Sequence, residues 1–447
     1  MLTNLDWIGT GKAFPPEKEI GRLNAYKKYT NMFSGQYDAV YGAHYANRAM
    51  ELRMRNVNVG TVVNYPQLLS KKTADFVCGD PPVIDIGDNT DMMGDTLETM
   101  NFSNVLYEAM IDVSRYGNAV LKVLADRVSI TPPKHWYPIA NPYDQKKIDY
   151  QVIAFLAGKQ IYVEIHSAGE YEQRIYKAET GKGDGSPVKF GDLLEAKREI
   201  TGIDDNAVQV LSNVTSSDSY YGVSDYDIIS GVLRQLLWRI FCAERILDKH
   251  SAPAMYGPRS MLQKDPVTGL YILKPGGFFE RNPSEPEPGY LTWDGNMQSV
   301  QWEIEWLTNQ MYTLSEMGAA FLEGAGKGEA NSGRALELRM TSPLTKARRL
   351  VGINDETVKR MIRSIAMAHG MPIEIKDIST AWQNGLPKDR LEECEIFEKA
   401  TGGKPFLSQL SAIKQYNGYD DAAAGEELEE ITAEQVSTGP ALYNPLE

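Results

Sequence analysis

The sequence predicts a protein of the α+β class, and three patterns along its 447 residues lead to that prediction. Residues 118–177 alternate apolar and polar side chains between glycine turns, which is typical of antiparallel hairpins. Two later stretches, 224–249 and 299–322, instead repeat apolar residues every three or four positions, the spacing of long helices. Between them, residues 251–298 are rich in proline and aromatic residues, which favours a small β-rich module.

The region before residue 223 predicts helices and strands together. A buried helix is expected to end at Gly79, and a short strand should follow because Pro81 and Pro82 forbid helix. An amphipathic helix is predicted over residues 95–116, before the hairpins. Residues 179–222 are expected to be rich in loops.

The two long helices are predicted to form an antiparallel stem of matched length. Ser224 and Asp227 fit a capping box at the start of the first helix. The apolar stripes supply the residues expected to pack in this stem, namely Ile228, Val232, Leu236, Ile240, Ile304, Leu307, Met311 and Leu314.

The insert between these helices has two interpretations. One is a single long disordered loop, because prolines recur throughout it. The other is a packed module, which its aromatic residues favour: Tyr271, Phe278, Phe279 and Trp293. We predict the packed module.

The chain after the second long helix predicts a break and then another helix. The glycines of residues 323–331 should interrupt the first helix, because each costs about 1 kcal/mol relative to alanine. Residues 332–370 resume an apolar stripe, and Pro343 inside it should kink the helix by removing a backbone hydrogen bond. Residues 371–384 favour a strand that returns to the first domain, and residues 385–447 favour short acidic helices.

Charge limits the classes of function. The net charge of −14 repels polyanions at long range, whereas a protein that reads DNA sequence normally carries a basic footprint. Such acidity suits a surface that nucleic acid passes without sticking, but it is also common among cytosolic proteins. Residues 332–368 carry a local excess of basic residues. That excess fits either salt bridges to acidic neighbours or a belt near a nucleic-acid path.

Cysteine usage and hydropathy predict a cytosolic, metal-free protein. The three cysteines are far apart and lack the spacing of a zinc site or a disulfide framework. Neither a signal-peptide pattern nor an apolar run of 18 residues occurs. We therefore expect no cofactor, no metal and no membrane partner.

Motifs of catalysis fail when tested. In GAGKGE, residues 324–329, Gly328 replaces the Ser/Thr that a P-loop uses to hold metal, and Phe321 stands where its first glycine should be. No G-x-S-x-G elbow occurs, and the five histidines are dispersed without an H-E-x-x-H pair. The sequence therefore predicts no active site, and the protein is not expected to be an enzyme.

Four stretches carry a family resemblance. They are NYPQLLSKKTADFVCGDPPVI (64–84), YYGVSDYDIISGVLRQLLWRIFCAERILDKHSAPAMYGP (220–258), NSGRALELRM (331–340) and IEIKDISTAWQNGLPKDRLEECEIFEKA (373–400). In order and spacing they resemble the portal (connector) proteins of tailed bacteriophages, of the siphophage type common in Gram-positive hosts. The resemblance extends over most of residues 56–435.

The resemblance implies an assembly role. Portal proteins form rings, usually dodecamers, at one capsid vertex of the virion, after synthesis in the host cytoplasm. Double-stranded DNA passes through the ring without sequence recognition during packaging and ejection. The implied partners are further copies of this chain, the terminase large subunit, the major capsid and scaffold proteins, and head-completion or adaptor proteins.

The resemblance also implies a division of the chain. Residues 1–222 would be the wing, 223–250 and 299–322 the stem helices, 251–298 the clip, 323–331 the tunnel loop, 332–370 the long kinked wing helix, 371–384 the wing return strand and 385–447 the crown. The clip aromatics would then face docking partners. The tunnel loop would supply Gly324, Gly326, Lys327, Gly328, Glu329 and Asn331 to the DNA channel.

Alternatives stay open at this point. Another capsid structural protein, such as a scaffold or minor head protein, would form no closed ring. A nucleotide-driven DNA enzyme is the weaker alternative because of the broken P-loop. Lys327 would touch phosphates as a point charge without reading sequence, or it would be an ordinary exposed lysine.

Overall fold

The computed structural model describes residues 1–42, 63–179, 188–201, 203–251, 255–256, 262–264, 266–273, 284, 287, 289–290, 297–318, 340–382, 390–402, 407–417 and 421–437. Internal contacts separate two compact units. The larger unit comprises residues 1–326 and 342–385, and the smaller comprises 327–341 and 386–447. Helices and antiparallel sheets occur together in the larger unit, so the predicted α+β class is confirmed.

Helices dominate the first part of the larger unit. They are α1 (Ile20–Phe33), α2 (Tyr37–Tyr41), α3 (Tyr65–Cys78), α4 (Thr90–Thr99) and α5 (Phe102–Tyr116). The side chain of Asn64 caps α3 by accepting a hydrogen bond from the backbone of Gln67, and Pro66 fits the first turn. The helix ends at Gly79, as the sequence predicted.

The prediction of a single helix over residues 95–116 is wrong. Asn101 adopts a left-handed conformation with φ of 54°, which cannot continue a right-handed helix. The segment therefore forms α4 and α5, separated at Met100 and Asn101. Both helices bury one face, so the apolar pattern crosses the break without revealing it.

The larger unit also contains antiparallel sheets. The strands up to residue 212 are β1 (Ala13–Phe14), β2 (Val83–Asp85), β3 (Asn118–Val123), β4 (Val128–Thr131), β5 (Trp136–Asn141), β6 (Asp144–Ala157), β7 (Gln160–Ser167), β8 (Glu170–Glu179), β9 (Val188–Ile200) and β10 (Val208–Ser212). One sheet has the order β1-β9-β8-β7-β6-β5, and a second has the order β10-β3-β4. The expectation of mainly loops over residues 179–222 is wrong, because β9 and β10 lie there. Most of β9 is exposed, so it lacks the alternation that marks a half-buried strand.

An aromatic core covers one face of the larger sheet. The rings of Trp7 and Tyr137 have centroids 5.1 Å apart, and Phe14 and Phe190 meet edge to face at 5.6 Å. Helix α1 contacts strand β5 through Arg22, whose guanidinium donates a hydrogen bond to the carbonyl of Trp136 at 2.6 Å. The N-terminal segment and the strands therefore form one packed body.

Two long helices and a β-containing insert come next. Helix α6 spans Asp225–Ser251 and α7 spans Met297–Leu314. Between them, β11 (Met255–Tyr256) pairs with β14 (Gly289–Tyr290), and β12 (Leu262–Lys264) pairs with β13 (Tyr271–Leu273). The predicted end of the second helix at residue 322 is wrong. Glu316 and Gly318 have φ of 61° and 66°, so the helix stops before them.

The third long helix, α8, spans Thr341–Ala368, and the chain then returns to the start of the larger unit. Strand β15 (Ser379–Ala381) pairs antiparallel with β2. The kink expected at Pro343 stays a prediction, because residues 332–339 of the predicted helix lie outside the described residues. In the described part Met340 lies in a turn and Pro343 occupies the first turn of α8, where its missing N–H costs no helical hydrogen bond.

The smaller unit is helical in its described residues. It contains α9 (Arg390–Thr401), α10 (Gln409–Asn417) and α11 (Asp421–Ser437). Phe397 of α9 meets Tyr416 of α10 edge to face, with centroids 5.9 Å apart. Across the described parts of both units, no helix is both long and apolar enough to cross a membrane.

Candidate functional site at the base of the two long helices

Several residues predicted to be functional lie outside the described residues. For the channel these are Gly324, Gly326, Lys327, Gly328, Glu329 and Asn331; for the docking surface they are Phe278, Phe279 and Trp293. Tyr271 is described through its backbone and opens β13, where it pairs with Lys264. The stem residues and Pro343 are therefore the predicted site residues whose side chains the structure describes.

The eight predicted stem residues divide by burial. Leu236, Leu307 and Met311 are buried, and covering each such side chain stabilises by about 1.5–3 kcal/mol. Val232, Ile240 and Ile304 are half-buried. Ile228 and Leu314 are exposed at 50% and 40%. The stem helices thus pack along one stripe and leave part of their predicted apolar surface uncovered.

The two stem helices run antiparallel in a fixed register. Arg239 of α6 donates through Nε to Oε1 of Glu303 on α7 at 2.6 Å. At the other end, Asp225 of α6 and Ser315 just beyond α7 both contact the ammonium of Lys346. These two contacts place the start of α6 beside the end of α7.

A buried polar cluster holds this end of the stem. We call Ser114, Asn213, Asp225, Ser315 and Lys346 the Asp225 cluster. Oδ2 of Asp225 accepts hydrogen bonds from Ser114 Oγ at 2.7 Å and from Lys346 Nζ at 2.8 Å, and its Oδ1 accepts from Asn213 Nδ2 at 3.0 Å. Lys346 also donates to the carbonyl of Ser315 at 3.2 Å.

The Asp225 cluster excludes water. The side chains of Lys346 and Asp225 are only 3% and 6% exposed. A buried charge survives only when it is paired and its remaining groups are hydrogen-bonded, and here each charged group has at least two partners. The cluster therefore joins five separate segments of the chain: α5, the loop after β10, α6, the end of α7 and α8.

A second set of hydroxyls continues the cluster into α3. The hydroxyl of Tyr226 donates to the carbonyl of Pro66 at 2.8 Å and lies 2.7 Å from Ser70 Oγ. Ser70 Oγ also lies 3.2 Å from Ser114 Oγ. Burial raises the pKa of Tyr226 above its usual value, so the phenol stays protonated as a donor.

Helix α8 is attached to the sheets at several points beyond the cluster. The amide of Asn354 makes two hydrogen bonds with the backbone of Ser212, at 2.7 Å and 2.9 Å. Arg363 pairs with both carboxylate oxygens of Asp204, at 2.6 Å and 2.7 Å. Motion of the stem base is therefore connected to the sheets through α8.

The carboxylate of Asp355 ties α8 to the returning strand. Burial by itself would raise its pKa, but hydrogen bonds from Thr380, Trp382 and Lys359 lower it below the usual value. Trp382 donates through Nε1 to Oδ1 at 2.7 Å. The charged form is thus favoured by groups from α8 and from β15 and the residue after it.

This arrangement suits mechanical coupling. The described residues contain no group of three or more His, Cys, Asp or Glu side chains able to hold a metal ion. Sequence reasoning missed the Asp225 cluster because its charged partners lie 121 residues apart. The one available signal was Lys346, a lysine in line with the apolar stripe of its helix beside Leu344 and Ala347.

Comparison with known proteins places the chain in context. The model of the family "Phage portal protein, SPP1 Gp6-like" matches residues 17–202 and 205–440. No curated protein matches the sequence.

Solved structures give weaker similarity. The chain is similar to one in the virion of a native gene transfer agent (GTA) particle, with 11% identity, a TM-score of 0.47, and coverage of 92% of this chain and 96% of that chain. It is also similar to one in the neck of an empty GTA particle computed with C6 symmetry, with 11% identity, a TM-score of 0.47, and coverage of 81% and 92%. A third, in the neck of a native GTA particle computed with C12 symmetry, has 10% identity, a TM-score of 0.43, and coverage of 78% and 88%.

Proposed function

Because this chain belongs to the SPP1 Gp6-like family of phage portal proteins, we propose that it forms a closed ring, a dodecamer, around a channel for DNA packaging and ejection. The family match over nearly the whole chain is the observation that carries this proposal. The resemblance to portal proteins read from the sequence is confirmed at family level. Its assignment to phages of Gram-positive hosts stays a prediction.

Two broader properties follow from the family. The protein is a structural, non-enzymatic component of the capsid, so the prediction that it is not an enzyme is confirmed. Its place is the capsid vertex of the virion. The phase in the host cytoplasm, before assembly, belongs to the proposal.

The net charge of the chain supports a channel that DNA traverses without being held. The net charge of −14 disfavours tight contact with a polyanion. Fixed Lys or Arg contacts to phosphates would create salt-dependent binding, which would stall movement of DNA. We therefore propose that double-stranded DNA passes through the ring without sequence recognition.

We propose the same docking partners for the clip and the wing that the resemblance implies. Residues 251–298, the clip, dock the terminase large subunit and later the head-completion or adaptor proteins. The wing, with its β sheets, contacts the major capsid and scaffold proteins. The Asp225 cluster is the joint through which a load on the stem reaches the wing, because it bonds α6, α7 and α8 to α5.

The mass of the purified assembly tests the ring directly. Twelve copies of the 49.9 kDa chain weigh about 600 kDa, which light scattering resolves from smaller assemblies. Negative-stain images should then show a ring with an axial hole. A small closed oligomer that hydrolyses nucleotide would contradict the proposal.

Lys327 tests the proposed channel loop. We expect Lys327→Ala to leave ring assembly intact and to alter the amount or length of DNA packaged or retained, because it removes a point charge that would touch phosphates. Lys376→Ala, at an exposed lysine outside the proposed loop, is the matched control. Unchanged DNA yield and length in Lys327→Ala particles would remove any special role for this residue.

A further inference from the structure

Two tryptophans are displayed on the outer face of α7. Trp302 and Trp306 are 65% and 49% exposed. Their rings stack with centroids 6.5 Å apart and an interplanar angle of 16°. We call them the Trp pair. Each tryptophan can bury about 150–250 Å², and such residues dominate the binding energy of protein interfaces when they are covered.

The register of the stem shows which part of α6 is level with the Trp pair. Arg239 of α6 lies opposite Glu303 of α7, and Asp225 and Ser315 meet at Lys346, so in this antiparallel pair the Trp pair is level with about residues 235–240 of α6. In this stretch Gln235 is exposed and Trp238 is 41% exposed. An apolar patch on α7 and a partly apolar patch on α6 therefore share one level of the stem.

Symmetry turns this shared level into a contact. In the ring proposed above, the stem helices run along the ring axis. Rotation about that axis leaves the height of every atom unchanged, so neighbouring copies touch through stem residues of similar level. We propose that the Trp pair of one copy packs against Gln235 and Trp238 on α6 of the next copy. This inference rests on the ring proposed above, and it names the surface that closes the ring.

Charge at the edges of the two patches is complementary. Glu305 is exposed beside the Trp pair on α7, and Arg234 is exposed beside Gln235 on α6. In the proposed contact these side chains of opposite sign lie at the same height on facing helices. A polar rim around an aromatic centre is the usual anatomy of a protein interface. A Trp pair meeting another Trp pair about a two-fold axis would instead bring Glu305 towards a second Glu305.

The first test measures assembly of the purified full-length chain. In Trp302→Ala/Trp306→Ala we expect the protein concentration at half-assembly, measured by sedimentation velocity, to rise at least about tenfold. Tyr143→Ala is the matched control. Tyr143 is an aromatic residue that is 97% exposed in the turn between β5 and β6, outside the stem. The control should assemble like the wild type, and a thermal melt should show both variants folded.

The second test identifies the neighbouring surface. In a background with the native cysteines replaced by serine, Gln235→Cys with Glu305→Cys should form intermolecular disulfides under mild oxidation, because this pair of changes leaves both tryptophans in place. A denaturing gel would then show a ladder of covalent multimers. Each single-cysteine variant should stay monomeric on the gel. Dimers formed by Glu305→Cys alone would show a two-fold contact and overturn the inference.

The outcomes separate this inference from the ring itself. Rings that form equally well in the double-alanine variant, with no ladder from the cysteine pair, overturn the role of the Trp pair and leave the ring standing. Wild-type protein that forms only small assemblies contradicts the ring and the inference together. Weakened assembly with a ladder supports both.

Discussion

Replacing Lys346 with methionine is expected to destabilise the larger unit strongly. The change keeps most of the aliphatic volume but removes the ammonium that lies 2.8 Å from Asp225 Oδ2. Both side chains are nearly fully buried, so the remaining carboxylate would keep only the donors from Ser114 and Asn213. Removing one partner of a buried ion pair typically costs about 3–5 kcal/mol.

Urea denaturation followed by circular dichroism measures this loss. Arg360→Met is the matched control, because Arg360 pairs with Glu356 on the same helix but at the surface, at 2.8 Å. Such exposed pairs contribute only about 0.3–0.5 kcal/mol. The wild-type chain and both variants are compared at one pH and one protein concentration.

A double variant separates the ion pair from simple loss of packing. Asp225→Asn combined with Lys346→Met removes both charges, and we expect it to be more stable than Lys346→Met alone. A loss below about 1 kcal/mol in Lys346→Met, or a double variant whose loss equals the two single losses combined, would refute the reasoning.

Three further predictions concern other buried groups. Burial raises the pKa of Asp112 to about 6, so the stability that the protonated carboxyl provides is present below about pH 4 and is lost as pH rises through 6. Asp112→Asn should therefore be more stable than wild type by about 1–3 kcal/mol at pH 8. Urea titrations should show that this advantage disappears below about pH 4. Burial raises the pKa of the Cys78 thiol to about 12, so iodoacetamide at pH 8 should label exposed Cys394 at least about tenfold faster in the folded protein, as read by mass spectrometry, and equal rates would contradict this. Asn354→Ala leaves two backbone groups of Ser212 without their side-chain partner and should cost about 1–3 kcal/mol by the same denaturation assay, whereas a neutral result would mean that these bonds are replaceable.

The helices that the sequence predicted well are those with a strong apolar stripe and a clear stop. Helix α3 ends at Gly79, and α6 begins one residue after its capping serine, Ser224. Two boundaries failed because they depend on single residues in left-handed conformations, Asn101 and Glu316. Non-glycine residues seldom adopt that conformation, so propensity gives no warning of it.

Strand β9 failed for a different reason. Its stretch from residue 192 onward is exposed on both faces, so no hydrophobic period of two exists to be read. It is specified by its pairing with β8, which is a tertiary property.

The candidate site was the least predictable part. Helical spacing gave the buried stem residues Leu236, Leu307 and Met311, because burial follows directly from apolar pattern. The Asp225 cluster could not be found in this way, since the sequence does not state which polar residues of distant segments meet. The exposed Trp pair lies on a helix that was predicted, but only the packed structure shows which face of that helix is left uncovered.

The short pairing of β2 with β15 has a consequence for how the protein is made. Val83 of β2 pairs with Ala381 of β15, and about 300 residues separate them in the chain. The pair cannot form until β15 has been synthesised. At roughly 5–20 residues per second, a ribosome needs about 15–60 s to supply the missing strand. During that time β2 has no partner strand, so its backbone N–H and C=O groups stay unpaired until synthesis passes residue 381. A chain that stops in the insert never acquires this partner.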